Sequence, residues 1–260
     1  MENFKIVEIG KICKRRIKAF FSKIRNFVYK SLGFQCLSHP IGRVKIPQKV
    51  KHLLKRSVAQ QGEDLILDRI ITRILNWDLE QPRVYVDVGA YHAIDHSVTY
   101  LLYQRGWSGI VFDPSAATKK TFCSSRPRDI FVQAVVGEED NIDVDFFFAQ
   151  NDSDMSLINT KYPEEKQRYR PQHIRQVCLE NELCRHGIQS IDFLNIDVEG
   201  AELEILRSFD FEKFSPSIIA VEIHGNDIEK CLQSEEAKII MTNGYRAVGC
   251  SVITYFFVKK

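Results

Sequence analysis

VYVDVGAYHAIDHS, residues 84–97, decides how the rest of the chain is read. A short run of β-branched and aromatic residues ends in Asp87-Val88-Gly89, then turns into a polar, histidine-bearing segment with no glycine-rich loop behind it. In an open α/β sheet, ligands bind outside the carboxyl ends of the strands, where the strand order reverses. A strand that carries an acid and a glycine to its tip is built for that place. Gly89 allows close backbone approach, and Asp87 can accept a hydrogen bond from a cationic or amide-bearing ligand end.

Outward from this strand the chain alternates. Before it, QQGEDLILDRIITRILNW predicts a helix that buries Leu65, Leu67, Ile70, Ile71, Ile74 and Leu75 and is ended by Pro82. After it come a helix near 97–105, a strand at 109–112, a helix near 117–124, a strand at 130–136 and an extra strand at 144–148. Beyond the polar stretch 150–171 there follow a short strand near 174–177, a helix near 179–186, a strand at 191–196, a helix at 201–208, a strand at 218–223 and a helix near 230–243. Strands alternating with helices imply a mostly parallel sheet covered on both faces. Residues 245–248 and 253–258 close the chain as an antiparallel pair.

With 260 residues and 44% hydrophobic content, one α/β domain with an appendage is expected: an extension and linker over 1–56 and a main domain over 57–260. Residues 1–56 hold fifteen Lys/Arg against Glu2 and Glu8, about +13, which with +2 for the whole chain leaves about −11 for the remainder. In FKIVEIGKICKRRIKAFFSKIRNFVYK the apolar Ile9, Ile12, Ile17, Phe20, Ile24 and Phe27 recur at helical spacing among lysines and arginines. This basic amphipathic helix can lie on an anionic membrane surface, or pack on its own domain or a partner protein through residues 1–30; nucleic acid is not expected. Residues 33–50, with Gly33, Pro40, Gly42 and Pro47, read as a linker. The seven cysteines form no CxxC pair and are odd in number, so neither a zinc site nor a disulfide framework is suggested. No apolar run reaches the ~18 residues of a membrane span, nor is there a secretory h-region. A cytoplasmic protein, soluble or peripheral at the membrane, is expected.

The other strand ends carry the chemistry. Asp113 ends the second strand, where a carboxylate can bind both hydroxyls of a ribose or simply cap the following helix. Nicotinamide-binding folds share such an acid, but their turn reads G-x-G-x-x-G to seat a pyrophosphate. Here Tyr91 stands at the second glycine position, so a ligand with ribose and adenine but no phosphate, such as S-adenosylmethionine, is less hindered. IDFLNIDVEGAELEIL (191–206) delivers Asp197 and Glu199 to the same crevice, while Glu202 and Glu204 read as first-turn acids favoured by the helix dipole. SIIAVEIHG ends in Glu222-Ile223-His224, which places Glu222 and His224 on one face. His224 is a candidate base for a hydroxyl, its unperturbed pKa of about 6.5 suiting proton acceptance near neutrality. His92 and His96 stand at i, i+4 but in an expected loop, and no metal is assigned.

These residues resemble the FkbM-type S-adenosylmethionine-dependent methyltransferases. Four blocks carry the likeness: QQGEDLIL (60–67), VYVDVGAYHAIDHSVTYLLYQRGWSGIVFDP (84–114), IDFLNIDVEGAELEIL (191–206) and IIAVEIHG (218–225). The resemblance implies the class I methyltransferase fold, a Rossmann-like doubly wound sheet, mostly parallel with an antiparallel C-terminal strand. It implies that Asp87, Gly89 and Asp113, with Ala90 in the same turn, contact the methyl donor, that Asp197 lies near the transferring methyl and that Glu63 is near the site. It also implies O-methylation of a sugar, glycan or related natural product. The sequence departs from the commoner D-x-G-A-N-x-G turn at Tyr91, His92 and Ala93.

The mechanism expected is in-line transfer with His224 as base, Asp197 as orienter or alternative base, and Glu199 as a weaker catalytic candidate. The stretch 150–171, with Tyr162, Arg168, Tyr169 and Arg170, could cover the acceptor or be a solvated loop. Two rivals stand beside this reading: a nicotinamide-dependent sugar oxidoreductase, and a non-catalytic scaffold that keeps the fold.

Overall fold

Runs of Val, Ile and Phe apolar at every position form strands buried on both faces, and such runs organise the molecule. The computed structural model describes residues 34–39, 42–47, 56–149, 160–161, 169–225 and 227–260. It divides into two units, Met1–Arg56 and Ser57–Lys260. In the first, β1 (Phe34–His39) pairs antiparallel with β2 (Gly42–Pro47), Phe34 facing Pro47 and His39 facing Gly42. The linker expected over 33–50 is thereby corrected. Val44 and Ile46 alternate with Arg43 and Lys45 at the two-residue period of a strand, which outweighs the nearby prolines and glycines. The basic helix expected within 1–30 lies outside the described residues.

The second unit opens with α1 (Glu63–Arg69), which passes into a π-helical turn at Ile70–Ile74. There follow β3 (Val84–Val88), α2 (Tyr100–Gln104), β4 (Ser108–Phe112), α3 (Ala116–Ser125), β5 (Ile130–Val132), β6 (Val135–Gly137), β7 (Ile142–Ala149) and β8 (Tyr169–Cys178). The chain continues through α4 (Leu179–Arg185), β9 (Phe193–Ile196), α5 (Glu202–Ser208), β10 (Ile218–Glu222), α6 (Ile228–Cys231), α7 (Glu235–Thr242), β11 (Tyr245–Cys250) and β12 (Thr254–Lys259). Seven strands form one sheet in the order β11-β12-β10-β9-β3-β4-β5. From β5 to β10 neighbours are parallel, while β12 runs antiparallel to both β10 and β11. The strand order reverses between β3 and β9, which makes the crevice at their carboxyl ends the place for a ligand.

Alternation along the strands splits the core into two layers. Val86, Val88, Ile110, Leu194, Ile219 and Val221 face Leu183 of α4, Ile205 of α5 and Ile240 of α7. Tyr85, Val111, Phe193, Ile218 and Ala220 face Leu67, Ile71, Leu102 and Phe122, so both faces are covered. Among the described residues no helix is long and apolar enough to cross a membrane.

Two further expectations need correction. The strand expected over 130–136 is two: after Val132 the chain leaves the main sheet, and β6 joins a separate three-stranded sheet of order β6-β8-β7. Both halves are apolar because each is packed in its own sheet, so hydrophobicity runs on across the jump. The helix expected over 230–243 is also two. Ser234 accepts the Ala237 N–H at 3.2 Å and starts α7 afresh, as an N-cap serine does.

Candidate active site

The tips of β3 and β9 are laced together. Asp197 N–H donates to Val88 O at 2.9 Å, and the N–H groups of Gly89 and Ala90 both donate to Phe112 O, at 3.0 and 3.1 Å. Gly89 sits at φ +86, and a Cβ there would overlap the Asp197 carbonyl. Its close approach is therefore to backbone of the neighbouring strand end, a use of glycine that the sequence left unspecified.

At the tip of β3, Asp87 is buried and already occupied. Thr99 Oγ1 donates to its Oδ2 at 2.6 Å and Asn195 Nδ2 to its Oδ1 at 2.9 Å. Thr99 in turn accepts from Arg126, whose side chain is fully buried. Arg126 gives Nε to Asp129, Nη1 to Ser97 Oγ and Ala93 O, and Nη2 to Tyr85 OH and Thr99 Oγ1, at 2.6–3.3 Å. This network fixes the turn after β3 from behind. Asn195 Oδ1, by contrast, is buried without a hydrogen-bond partner. Asp113 accepts the N–H of Tyr91 at 2.9 Å and of Ser115 at 2.8 Å, and burial pushes its carboxyl up to about 6. Ser115, not Asp113, caps α3.

On the other side of the crevice, the DVEG turn is held by Glu202. Its carboxylate accepts Val198 N–H at 3.0 Å and Gly200 N–H at 2.9 Å. Thr160 Oγ1 donates to Glu199 O at 2.9 Å. These bonds keep Glu199 at φ +58, a left-handed conformation that costs a non-glycine residue about 1 kcal/mol or more. Glu204 has a different duty, accepting from Lys161 Nζ at 2.9 Å.

Glu199, Glu222 and His224 converge: His224 Nε2 lies 3.7 Å from Glu222 Oε1 and 3.8 Å from Glu199 Oε2. Burial and then the Asp197 charge raise Glu199 to about 7. Burial raises both Asp197 and Glu222, with Glu222 displaced further by the Asp197 charge. The proton of this pair therefore rests on Glu222, which hydrogen-bonds to an ionised Asp197 at neutral pH. Apart from that carboxyl, Glu222 Oε2 has no hydrogen-bond partner.

A cleft of about 450 Å³ runs along the tips, lined among others by Asp87, Gly89, Ala90, Asp113, Asn195, Asp197 and Glu199, with apolar Phe112, Val135 and Phe146. Tyr91 and His96 stack at its rim, 5.7 Å between ring centres. Two of the sequence-assigned residues differ in setting. Glu63 is buried outside the lining, where it accepts Gln61 N–H at 2.8 Å and adds its charge to the field at Asp197. His224 is mostly exposed and lines a smaller neighbouring hollow with Asp227, Lys230 and Cys231. His92 uses Nδ1 to accept the N–H groups of Ile94 and Asp95, a turn-building role. Asn195, Thr99 and Arg126 went unassigned in the sequence. Asn195 alone left a trace, as an amide inside the apolar run IDFLNI.

Residues 87–246, more than half of the chain, match the family model for the Methyltransferase FkbM domain. No protein of curated function matches the chain. Similar solved structures include a TehB-like SAM-dependent methyltransferase from Corynebacterium glutamicum (10% identity, 82% of this chain and 94% of that one, TM-score 0.39). Others are the Methanococcus jannaschii fibrillarin pre-rRNA processing protein (9%, 87% and 82%, TM-score 0.41) and the Burkholderia thailandensis 1,6-didemethyltoxoflavin-N1-methyltransferase (10%, 76% and 77%, TM-score 0.37). At that level of likeness none of them bears on what this chain does.

Proposed function

The chain belongs to the methyltransferase FkbM family and is an S-adenosylmethionine-dependent methyltransferase; on that premise we propose that it methylates a hydroxyl of a sugar, glycan or related natural product. The observation that carries the proposal is the convergence of acids from three strand ends, Asp87, Asp113 and Asp197, on one cleft. The reversal of strand order between β3 and β9, with a final antiparallel strand, supports reading the sheet as the Rossmann-like, doubly wound sheet of class I methyltransferases.

The lining fits the donor. Buried carboxylates suit a cationic ligand, and the orphaned Asn195 Oδ1 suits a donor group such as an ammonium. When bound, S-adenosylmethionine supplies an electrophilic methyl group on a positively charged sulfur. Asp113 accepts from the ribose hydroxyls, and the backbone of Gly89 and Ala90 forms the floor of the site. Asp87 holds Thr99 and Asn195 in place. Asp197, ionised at neutral pH and in the cleft, takes the proton of the acceptor hydroxyl, with Glu222 hydrogen-bonded behind it. Glu199 and His224 hold that hydroxyl at the cleft edge, a positioning duty for His224 that its exposure favours over the role of base. Alignment supplies much of the rate in such a reaction, since the leaving group is already good. For residues 1–30 the proposal is contact with an anionic membrane surface or a partner protein, in the cytoplasm. Cosedimentation of the full chain with anionic but not neutral liposomes tests the membrane reading.

Calorimetric titration with S-adenosylhomocysteine, with NADH in parallel, tests the donor site. Binding of S-adenosylhomocysteine alone, weakened in Asp113→Ala, is expected. Binding of neither ligand by folded protein would favour the scaffold reading, and of NADH alone the oxidoreductase. Asp197→Asn should lower kcat while leaving donor affinity in place.

A further inference from the structure

We propose that Glu199, Glu222 and His224 form a site for one divalent cation of the Mn²⁺ or Zn²⁺ kind, placed to hold the oxygen of the acceptor hydroxyl. One ligand atom from each residue lies within 4.8 Å of the other two. Ligands about 2.1 Å from a tetrahedral ion stand about 3.4 Å apart. The distances of 3.7 and 3.8 Å from His224 Nε2 to the two carboxylates are a few tenths wider, which a small rotation of the exposed imidazole closes. Two carboxylate oxygens and one imidazole nitrogen suit borderline divalent ions, and three protein ligands leave a coordination position for a substrate oxygen.

The independent observation is Glu222. It is only 5% exposed, yet its Oε2 finds no donor: the charged groups about it are Asp197, Glu199, Glu202 and His224. Among the described residues, the ion-pair partner of both Glu199 and Glu222 is His224 alone. Without a cation the proton held on Glu222 offsets the charge of these acids; a divalent ion would take the proton's place and pair with both carboxylates. The chain also spends backbone energy to aim Glu199 here, through the strained turn that Glu202 and Thr160 hold. Glu199 lines the cleft, so an ion on this cluster stands at the edge of the proposed donor site. An oxygen bound to it loses its proton more readily, and Asp197 is the carboxylate beside it to receive that proton.

Cation binding stands on the cluster alone; its role toward the acceptor rests on the methyl-transfer reading. The test is titration of the full chain with Mn²⁺, the free ion counted by electron paramagnetic resonance, for the wild type, Glu222→Gln, His224→Ala and Glu235→Gln. Glu235 is an exposed acid on α7 outside the cluster. One Mn²⁺ per chain is expected, with affinity down at least about tenfold in the two cluster variants and unchanged in Glu235→Gln. Because His224 is mostly exposed, its variant tests the site without disturbing the core. No binding by the wild type, or equal binding by all four proteins, would overturn the proposal. S-adenosylhomocysteine titrations on the same samples separate the two readings: donor binding without a Mn²⁺ site sinks the cation site alone. A Mn²⁺ site without donor binding sustains the cation site and sinks the methyl-transfer reading.

Discussion

Two buried polar clusters flank the cleft and are built in opposite ways. Arg126, 1% exposed, has Nε and both terminal nitrogens engaged with Asp129, Ser97, Ala93, Tyr85 and Thr99. Glu222, 5% exposed, meets other carboxyls and an imidazole at 3.7 Å. A fully satisfied network rigidifies what surrounds it, whereas a buried group left short of partners asks for an explanation in function. The first cluster shapes the turn after β3 through Thr99 and Asp87; the second stands where chemistry is proposed.

The comparison can be broken most sharply at Arg126. Arg126→Met leaves the buried Asp129 carboxylate, still bonded by Tyr85 OH and Gly109 N–H, without its cation and should cost about 3–5 kcal/mol in urea unfolding; a loss below about 1 kcal/mol would remove the structural role assigned to the network. Next in size, Asp113→Ala should weaken S-adenosylhomocysteine binding by about 1.5–3 kcal/mol, read by calorimetry, because a carboxylate that accepts hydrogen bonds is lost. The same contact predicts a pH profile. Asp113, raised to about 6 by burial, is charged above that value and gains a proton as pH falls through it. Donor affinity should thus be flat above about pH 7 and drop up to about tenfold per unit below about pH 6. The smallest effect is expected at Glu222→Gln in metal-free buffer. A carboxyl that already holds a proton is replaced by an amide of similar shape, so unfolding free energy should shift by less than about 1 kcal/mol. A loss as large as at Arg126 would erase the contrast between the two clusters.

The central strands were legible because burial on both faces writes itself as an unbroken apolar run, and their tips because Asp87, Asp113 and Asp197 interrupt such runs at the carboxyl end. The division of 130–137 between two sheets was not, since Val132 and Val135 are equally buried on either side of the jump. Nor was the second helix start at Ser234, whose capping bond shows only once Ala237 is placed. The pairing of 34–39 with 42–47 was hidden by Pro40 and Gly42, which dominate a local reading. At the site, residue types at strand ends could be read, but not their division of labour. Arg126 reaches Ser97, Thr99 and Tyr85 across 27 to 41 positions, and no local pattern records such a reach.

The bond from Asp197 N–H to Val88 O, beside a Gly89 that admits no side chain, makes the floor of the proposed donor site and the proposed proton acceptor parts of one rigid gauge. Their spacing is set by sheet geometry, which drifts little under mutation elsewhere. On the proposed roles, segments outside this core can change while the distance between donor floor and proton acceptor stays fixed.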